Sequence, residues 1–439
     1  KYYVRSYAKN SAGIGYSETR SFTTVYSGNV RDLCANGTAN SYIVNKYGFY
    51  SFNATVKGNS TTPLEATPVS AEVLWETRNT SESITAGCVV KDVTFEDGKV
   101  KFTTTEDVTP GNALIAVKDA DGYILWSWHI WVVDYNPEVQ YHTYPSGAVM
   151  MDRNLGALNN GNDYLSGGLL YQWGRKDPFM GNGGNSAPSV MAPANVIKYE
   201  KTSAVKGTLA YVQTNPNVML YNEENWDWLY VRDHTLWGDK KTMYDPCPPG
   251  WQVPSAKYHI WDGLDGVYYP DNYYRIDGIN SDFGRDYWTT TYIANREDCV
   301  HSKGGQRGKL SPTNVRCVRI TGVSIDDIDV KPEVRTASVG FSAASSLAKS
   351  ILKAGVVCSQ DANQTLVITN SNASVYEKSD SDMVFGNLTL DIENLTPNVK
   401  YYFRVYVITE LGISYSDVGE FTTKTSGNNE GVGDDDYEW

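Results

Sequence analysis

Through much of the chain, apolar and polar residues alternate with a period of two, broken by Gly, Asn and Asp. That is the pattern of half-buried β-strands joined by tight turns. The run Val93-Thr94-Phe95-Glu96-Asp97-Gly98-Lys99-Val100-Lys101-Phe102 alternates on both sides of an Asp-Gly pair and predicts a β-hairpin. Ala113–Lys118 and Tyr123–Val133 flank Asp119-Ala120-Asp121-Gly122 and predict a second. With Tyr47–Val56 and Val73-Leu74-Trp75, at least six strands and almost no helical periodicity occupy residues 25–138, so a β-sandwich is expected there. Trp126 and Trp128 share one strand face with Ile124 and Ile130. With Trp131 they would make a sugar-stacking platform if exposed, but packing in a core or a domain interface is the expected role.

The two ends of the chain repeat one another. Residues 1–24 align without a gap on residues 400–423, with 12 of 24 positions identical. Each copy is two alternating runs around a Gly-containing turn, again a hairpin. Leu395-Thr396-Pro397 precedes the second copy, and Tyr401 follows six residues after Leu395. This Leu-x-Pro-x-x-x-Tyr run resembles the tyrosine corner and last two strands of a fibronectin type III domain. The resemblance implies a complete domain over residues 323–424, with Ala354-Gly355-Val356-Val357 as an earlier core strand. Residues 1–24 are then the last hairpin of a preceding copy, and the native protein is expected to extend further toward its N-terminus. An isolated hairpin is marginal in water, so it is expected to pack on the next unit or to be poorly ordered. The segment Ala39–Asn59 resembles accessory domains of Bacteroidetes surface proteins.

Residues 139–322 are richer in Gly, Asn and aromatic residues and poor in long strands. Five islands follow in order: Val149–Leu155, Gly168–Arg175, Cys247–Ser255, Tyr287–Thr291 and Val315–Arg319. Together they resemble the Fibrobacter major paralogous domain, related to the C-type-lectin-like fold that formylglycine-generating enzymes share. The resemblance implies an α+β lectin-like domain. Pro254 and Ser255 suit a helix start, predicting a short helix over Ala256–Leu264 with Tyr258 and Trp261 on one side. A disulfide between Cys247 and Cys317 is expected, with two buried thiols as the alternative, while Cys299 sits in a polar loop. The fold class expected overall is mainly β and multi-domain, sandwiches flanking a lectin-like α+β domain. Residues 425–439, Gly/Asn-rich and then acidic, predict a flexible tail.

Composition narrows the function. A net charge of −13 argues against nucleic acid and anionic membranes as partners. No run of 18 apolar residues exists to span a membrane. Aromatic residues reach 13%, with 32 Tyr, which suits both sheet faces and binding surfaces. Five His are scattered, no Cys/His cluster has zinc spacing, and Asp227 near Asp233 and Asp277 near Asp282 read as solvated loop carboxylates. Cys299 and Cys317, the only candidates for a reactive pair, lack the motif context of the related oxidases. Catalysis and a metal site are therefore not expected. The calcium triplets of sugar-binding lectin-like domains are absent, and Asn225-Trp226-Asp227-Trp228 has similar residues in the wrong order. Asp277, Asn280 and Asp282 have a spacing a cation such as Ca²⁺ could use, but an Asx-rich turn is the plainer reading, and no cofactor is expected.

The segment Asp265–Tyr287 combines Tyr268, Tyr269, Tyr273 and Tyr274 with Asp277, Asn280 and Asp282, a paratope-like composition. These residues, with Trp226 and Trp228, are the candidate contacts for a glycan or a host or bacterial surface protein. The plain alternative is that the Tyr side chains anchor a long loop. The expected function is a non-catalytic surface or secreted binding protein of a gut-type bacterium, an adhesin or glycan-binding module, placed outside the cell by resemblance. Two alternatives remain: a structural stalk or fimbria-associated component, and the non-catalytic part of a larger polysaccharide-degrading protein.

Overall fold

The computed structural model describes residues 2–22, 30–161, 163–180, 189–222, 224–258, 272–276, 279–284, 287–293, 298–301, 306–378 and 383–426. Within them the protein is mainly β, built from several sheets. At the N-terminal end, Tyr7–Asn10 pairs with Gly13–Tyr16 and Tyr2–Val4 with Arg20–Phe22, so the local alternation does make a hairpin. It does not pack on the following unit, because residues 3–21 are exposed throughout. Val4, Ile14 and Tyr16 are 49%, 49% and 60% exposed, whereas their repeat equivalents Phe403, Ile413 and Tyr415 are 2%, 1% and 6% exposed. The same sequence makes the same hairpin, but its burial comes from other strands.

Two facing sheets follow. In one, Lys99–Thr104 pairs with both Phe49–Asn53 and Val90–Glu96. The other runs Ser189–Ala192, Ser70–Asn79, Gly111–Lys118, Ile124–Val132 and Ser41–Val44. Asp97 and Gly98 adopt positive φ of 53° and 74°, the backbone a two-residue hairpin turn requires and an Asp-Gly pair tolerates. Phe52, Val100, Phe102, Ile115, Trp126, Trp128 and Ile130 fill the space between the sheets. The strand Ile124–Val132 is buried on both faces: Trp131, of opposite parity, enters a second core with Trp75 and Leu114.

That second core belongs equally to residues 139–322, through Leu155, Trp173, Trp228, Trp251 and Trp288. Ser189–Ala192, from the same segment, extends the sandwich sheet by pairing with Ser70–Asn79. Position 138 therefore marks a change of sequence texture and not a gap between cores. Strands in the central segment are short, so its backbone carbonyls need partners other than ladders. Tryptophans supply many of them. The indole N–H groups of Trp131, Trp173, Trp228, Trp237 and Trp288 donate to the carbonyls of Ala157, Thr289, Trp173, Tyr244 and Tyr171 at 2.7–3.0 Å. Gln172 donates to the carbonyls of Leu220 and Leu310, and Arg175 to that of Val218. The sequence islands thus form the interior scaffold. Cys247 and Cys317 are joined by a disulfide, their Cα atoms 6.1 Å apart. Of the helix expected over Ala256–Leu264, a 3-10 turn spans Ala256–Tyr258 and the remainder lies outside the described residues. A helix not anticipated from the sequence spans Leu209–Thr214, capped where Thr208 Oγ1 accepts from the Tyr211 N–H at 3.1 Å.

The C-terminal unit is a second sandwich. Val323–Pro332, Ala337–Ser345 and Gly386–Ile392 form one sheet. Ser374–Lys378, Ile351–Ser359, Lys400–Thr409 and Gly412–Tyr415 form the other, with Gly419–Thr422 also on Lys400–Thr409. Tyr401 Oη accepts from the Thr396 N–H at 2.9 Å, the contact a tyrosine corner makes. This sandwich is docked on the central unit. Tyr415 Oη donates to the Ser146 carbonyl at 3.0 Å. Gly147, at φ +86°, lies so close to Ile413 that a Cβ there would sit 2.8 Å from its side chain.

Candidate functional site

Tyr268, Tyr269 and Asp277 lie outside the described residues. The backbone at Tyr273, Tyr274, Asn280 and Asp282 forms a hairpin, Asn272–Ile276 with Ile279–Gly284, setting Tyr273 opposite Asp282 and Arg275 opposite Asn280. The side chains of that hairpin also lie outside the described residues. Trp226 is 62% exposed. Trp228 is fully buried and donates its indole N–H to the Trp173 carbonyl, so it is a core residue and not a ligand contact. The two differ because consecutive Asx turns bend the chain between them. Asn225 Oδ1 accepts from the Asp227 N–H and Asp227 Oδ1 from the Leu229 N–H, each at 3.0 Å.

Asp227 also departs from its expected place in a solvated loop. It is fully buried, and its carboxylate lies 3.2 Å from Lys309 Nζ. Lys309 donates further to the Asp233 carbonyl at 3.0 Å and to His234 Nδ1 at 2.7 Å. Burial pushes the Asp227 carboxyl up, with Lys309 opposing. Burial and the neighbouring ammonium push the His234 imidazole down. An ammonium only donates, so Nδ1 accepts and the ring proton resides on Nε2. The His234 ring stacks on Tyr292, centroids 4.4 Å apart and planes 10° from parallel.

This stacked pair lies in a cleft of about 770 Å³ between the central unit and the C-terminal sandwich. One wall is made by the His234–Asp239 loop, the turn at Ser255–Lys257 and the strand end Thr290–Tyr292; Gln364–Leu366, Arg404, Asp417 and Val418 make the other. The Tyr-rich segment Asp265–Tyr287 lies in sequence between Lys257 and Thr290 of the first wall. The flanking wall residues are tied to each other where the Ala256 N–H donates to Thr291 Oγ1 at 3.0 Å and the Thr290 N–H to the Pro254 carbonyl at 2.9 Å. Lys257 Nζ lies 2.8 Å from the Asp239 carboxylate. Burial raises the Asp239 carboxyl, yet Lys257, together with a Ser255 hydrogen bond and the Arg404 charge, outweighs it and holds the group below its ordinary value. His234, Tyr292 and Arg404 were not marked by any local pattern; they come from separate segments that only the tertiary fold assembles. A flat aromatic face in a cleft also lined by Thr and Ser residues, with paired charges in the same cleft, suits non-covalent recognition of a polar ligand that has one apolar face. No group of three or more His, Cys, Asp or Glu positioned to hold a metal occurs among the described residues. No described helix is long and apolar enough to cross a membrane.

No family model matches the chain, and no curated protein matches it. Solved structures match in part. A fibronectin type III domain of human fibronectin type III domain containing protein 3 is 23% identical over 26% of this chain and 96% of its own, with a TM-score of 0.19. The sensor domain of an anti-sigma factor of Pseudobacteroides cellulosolvens is 16% identical over 24% of this chain and 99% of its own, with a TM-score of 0.18. A candidate carbohydrate-binding protein of Bacteroides uniformis is 12% identical over 34% of this chain and 81% of its own, with a TM-score of 0.19. Likenesses of this kind carry no argument about what the cleft does.

Proposed function

We propose that the protein is a non-catalytic binding module, on a cell surface or secreted, that takes a carbohydrate in the cleft between a lectin-like unit and the C-terminal sandwich. The stacked His234–Tyr292 pair carries this reading. A pyranose has an apolar C–H face and a rim of hydroxyls, and the wall offers an aromatic platform beside the Thr235, Ser255, Thr290 and Thr291 hydroxyls. The platform is pre-organised: Asp227 holds Lys309, Lys309 grips His234 Nδ1, and His234 lies flat on Tyr292. Little ordering cost then falls on binding. Tyr273 and Tyr274, whose hairpin lies in sequence between Lys257 and Thr290 of the cleft wall, are candidates for a second set of contacts.

Asp239 does not suit the role of a general acid in glycoside cleavage. A general acid needs a raised pKa, whereas Asp239 is held low by Lys257. A glycan-array screen of the full chain, followed by calorimetry on the best hit, tests the proposal. Tyr292→Ala should weaken that hit about tenfold, the loss of roughly one good aromatic contact. Undiminished binding by Tyr292→Ala would remove the cleft as the site. Silence of the folded chain on a broad array would favour a structural role as a stalk component.

A further inference from the structure

The buried cations of this protein are provided for. Arg153, Lys176, Lys241 and Lys309 each lie beside a carboxylate, of Asp152, Asp177, Asp245 and Asp227 respectively. Arg175, Arg316 and Arg319 each leave one buried nitrogen unpaired but anchor the guanidinium through another, to Val218, Asn154 and Pro137. Arg404 differs. It belongs to the strand Lys400–Thr409 and lines the cleft, and its buried Nε has no partner. Its guanidinium makes no hydrogen bond or ion pair with the described residues. Two carboxylates share the cleft. That of Asp239 is engaged by Lys257, that of Asp417 belongs to an exposed residue, and both act on Arg404 through space without a hydrogen bond or ion pair to it.

Arg404 is partly exposed, with only Nε buried, so the guanidinium can take a ligand from the cleft, and its planar fork matches one group best, a carboxylate bound through both oxygens. We infer that the ligand of the cleft is an acidic sugar, its ring face on His234 and Tyr292 and its ring carboxylate on Arg404. This inference rests on the carbohydrate reading and narrows it. The protein's own charge sharpens the claim. At −13 the long-range field repels anions, so a preference for an acidic sugar must come from a local cation. A hexuronic acid and a sialic acid both present such a carboxylate, and the experiment separates them.

Calorimetry on the full chain would compare oligogalacturonate with its methyl ester, which keeps the ring and loses the charge, and sialyllactose with lactose. At least one acid is expected to bind tenfold or more tighter than its neutral counterpart, and which one does so identifies the source. Arg404→Gln should bring the ratio of acid to neutral affinity down to about one. Arg404→Lys, which keeps the charge but loses the fork, should retain only part of the preference. Equal affinity for acid and neutral sugar, with both weakened by Tyr292→Ala, would overturn the inference and leave the carbohydrate reading standing. Absence of binding to all four compounds by the folded chain, with a different glycan bound through Tyr292, would also overturn it. Absence of any glycan binding would sink both.

Discussion

Glu76→Ala is expected to lower the stability of the fold by roughly 4 kcal/mol or more, by leaving main-chain donors without an acceptor. Glu76 is fully buried in the strand Ser70–Asn79, where it is paired on both sides, opposite Ala113 and Ala192. Its carboxylate gathers four backbone N–H groups of one turn. Oε2 accepts from Gly87 at 2.6 Å and Cys88 at 3.2 Å, and Oε1 from Val89 and Val90, each at 2.9 Å. Val89 and Val90 are fully buried, so no water replaces the lost acceptor there. The turn so held leads into the strand Val90–Glu96, at the edge of the first sheet. Glu76→Gln separates shape from chemistry. It keeps the length but turns one oxygen into an amide NH₂ that faces donors, so it too should destabilise. Urea unfolding followed by the fluorescence of the largely buried tryptophans measures both. A loss under about 1 kcal/mol for the Ala variant would show that the four N–H groups find other partners.

What the sequence revealed was local, and what it concealed was assembled from a distance. The hairpins at 93–102 and 113–133 were legible because alternation and turn chemistry are properties of ten consecutive residues. The inward placement of Trp126 and Trp128 followed from sharing a face with Ile130, whereas Ile124, expected on that face too, lies past a register shift and packs against the other core. The same rule said nothing of what covers Trp131, because its partners lie beyond residue 138. Trp226 and Trp228 have the same parity and opposite fates, since two Asx turns cancel the strand period between them. Asp227 read as a loop carboxylate because Lys309 stands 82 residues further on. Arg404 is hidden for another reason. Its repeat equivalent is Arg5, and the same local sequence leaves Arg5 exposed and sets Arg404 in a cleft.

Acid is expected to weaken the fold well before the carboxylates titrate, and His129 is the reason. It lies in the strand Ile124–Val132, 1% exposed, with Nε2 2.8 Å from Asn112 Oδ1 and Nδ1 3.1 Å from Ser41 Oγ. Asn112 donates its amide N–H to the Gly156 carbonyl at 3.0 Å, which turns Oδ1 toward the histidine. His129 Nε2 therefore donates, Nδ1 accepts from the serine, and the imidazole is neutral with both nitrogens satisfied. Burial alone pushes its pKa down to about 3, with no neighbouring charge contributing. The unfolded chain takes up the proton near the ordinary 6.5, while the folded protein refuses it down to about 3. Across that window the unfolded state binds more protons, so stability is complete above 6.5 and falls as the pH drops toward 3. At pH 5 the loss should reach about 2 kcal/mol, from about 1.4 kcal/mol per unit. His142 and His234 shift in the same direction but are only partly buried, and their share should be smaller. Urea midpoints of the native chain and of His129→Gln, taken from pH 7.5 to 5, test this. The native curve should slope steeply below pH 6.5, and the variant, less stable at pH 7.5, should be nearly flat. Parallel slopes would mean that the acid sensitivity lies elsewhere.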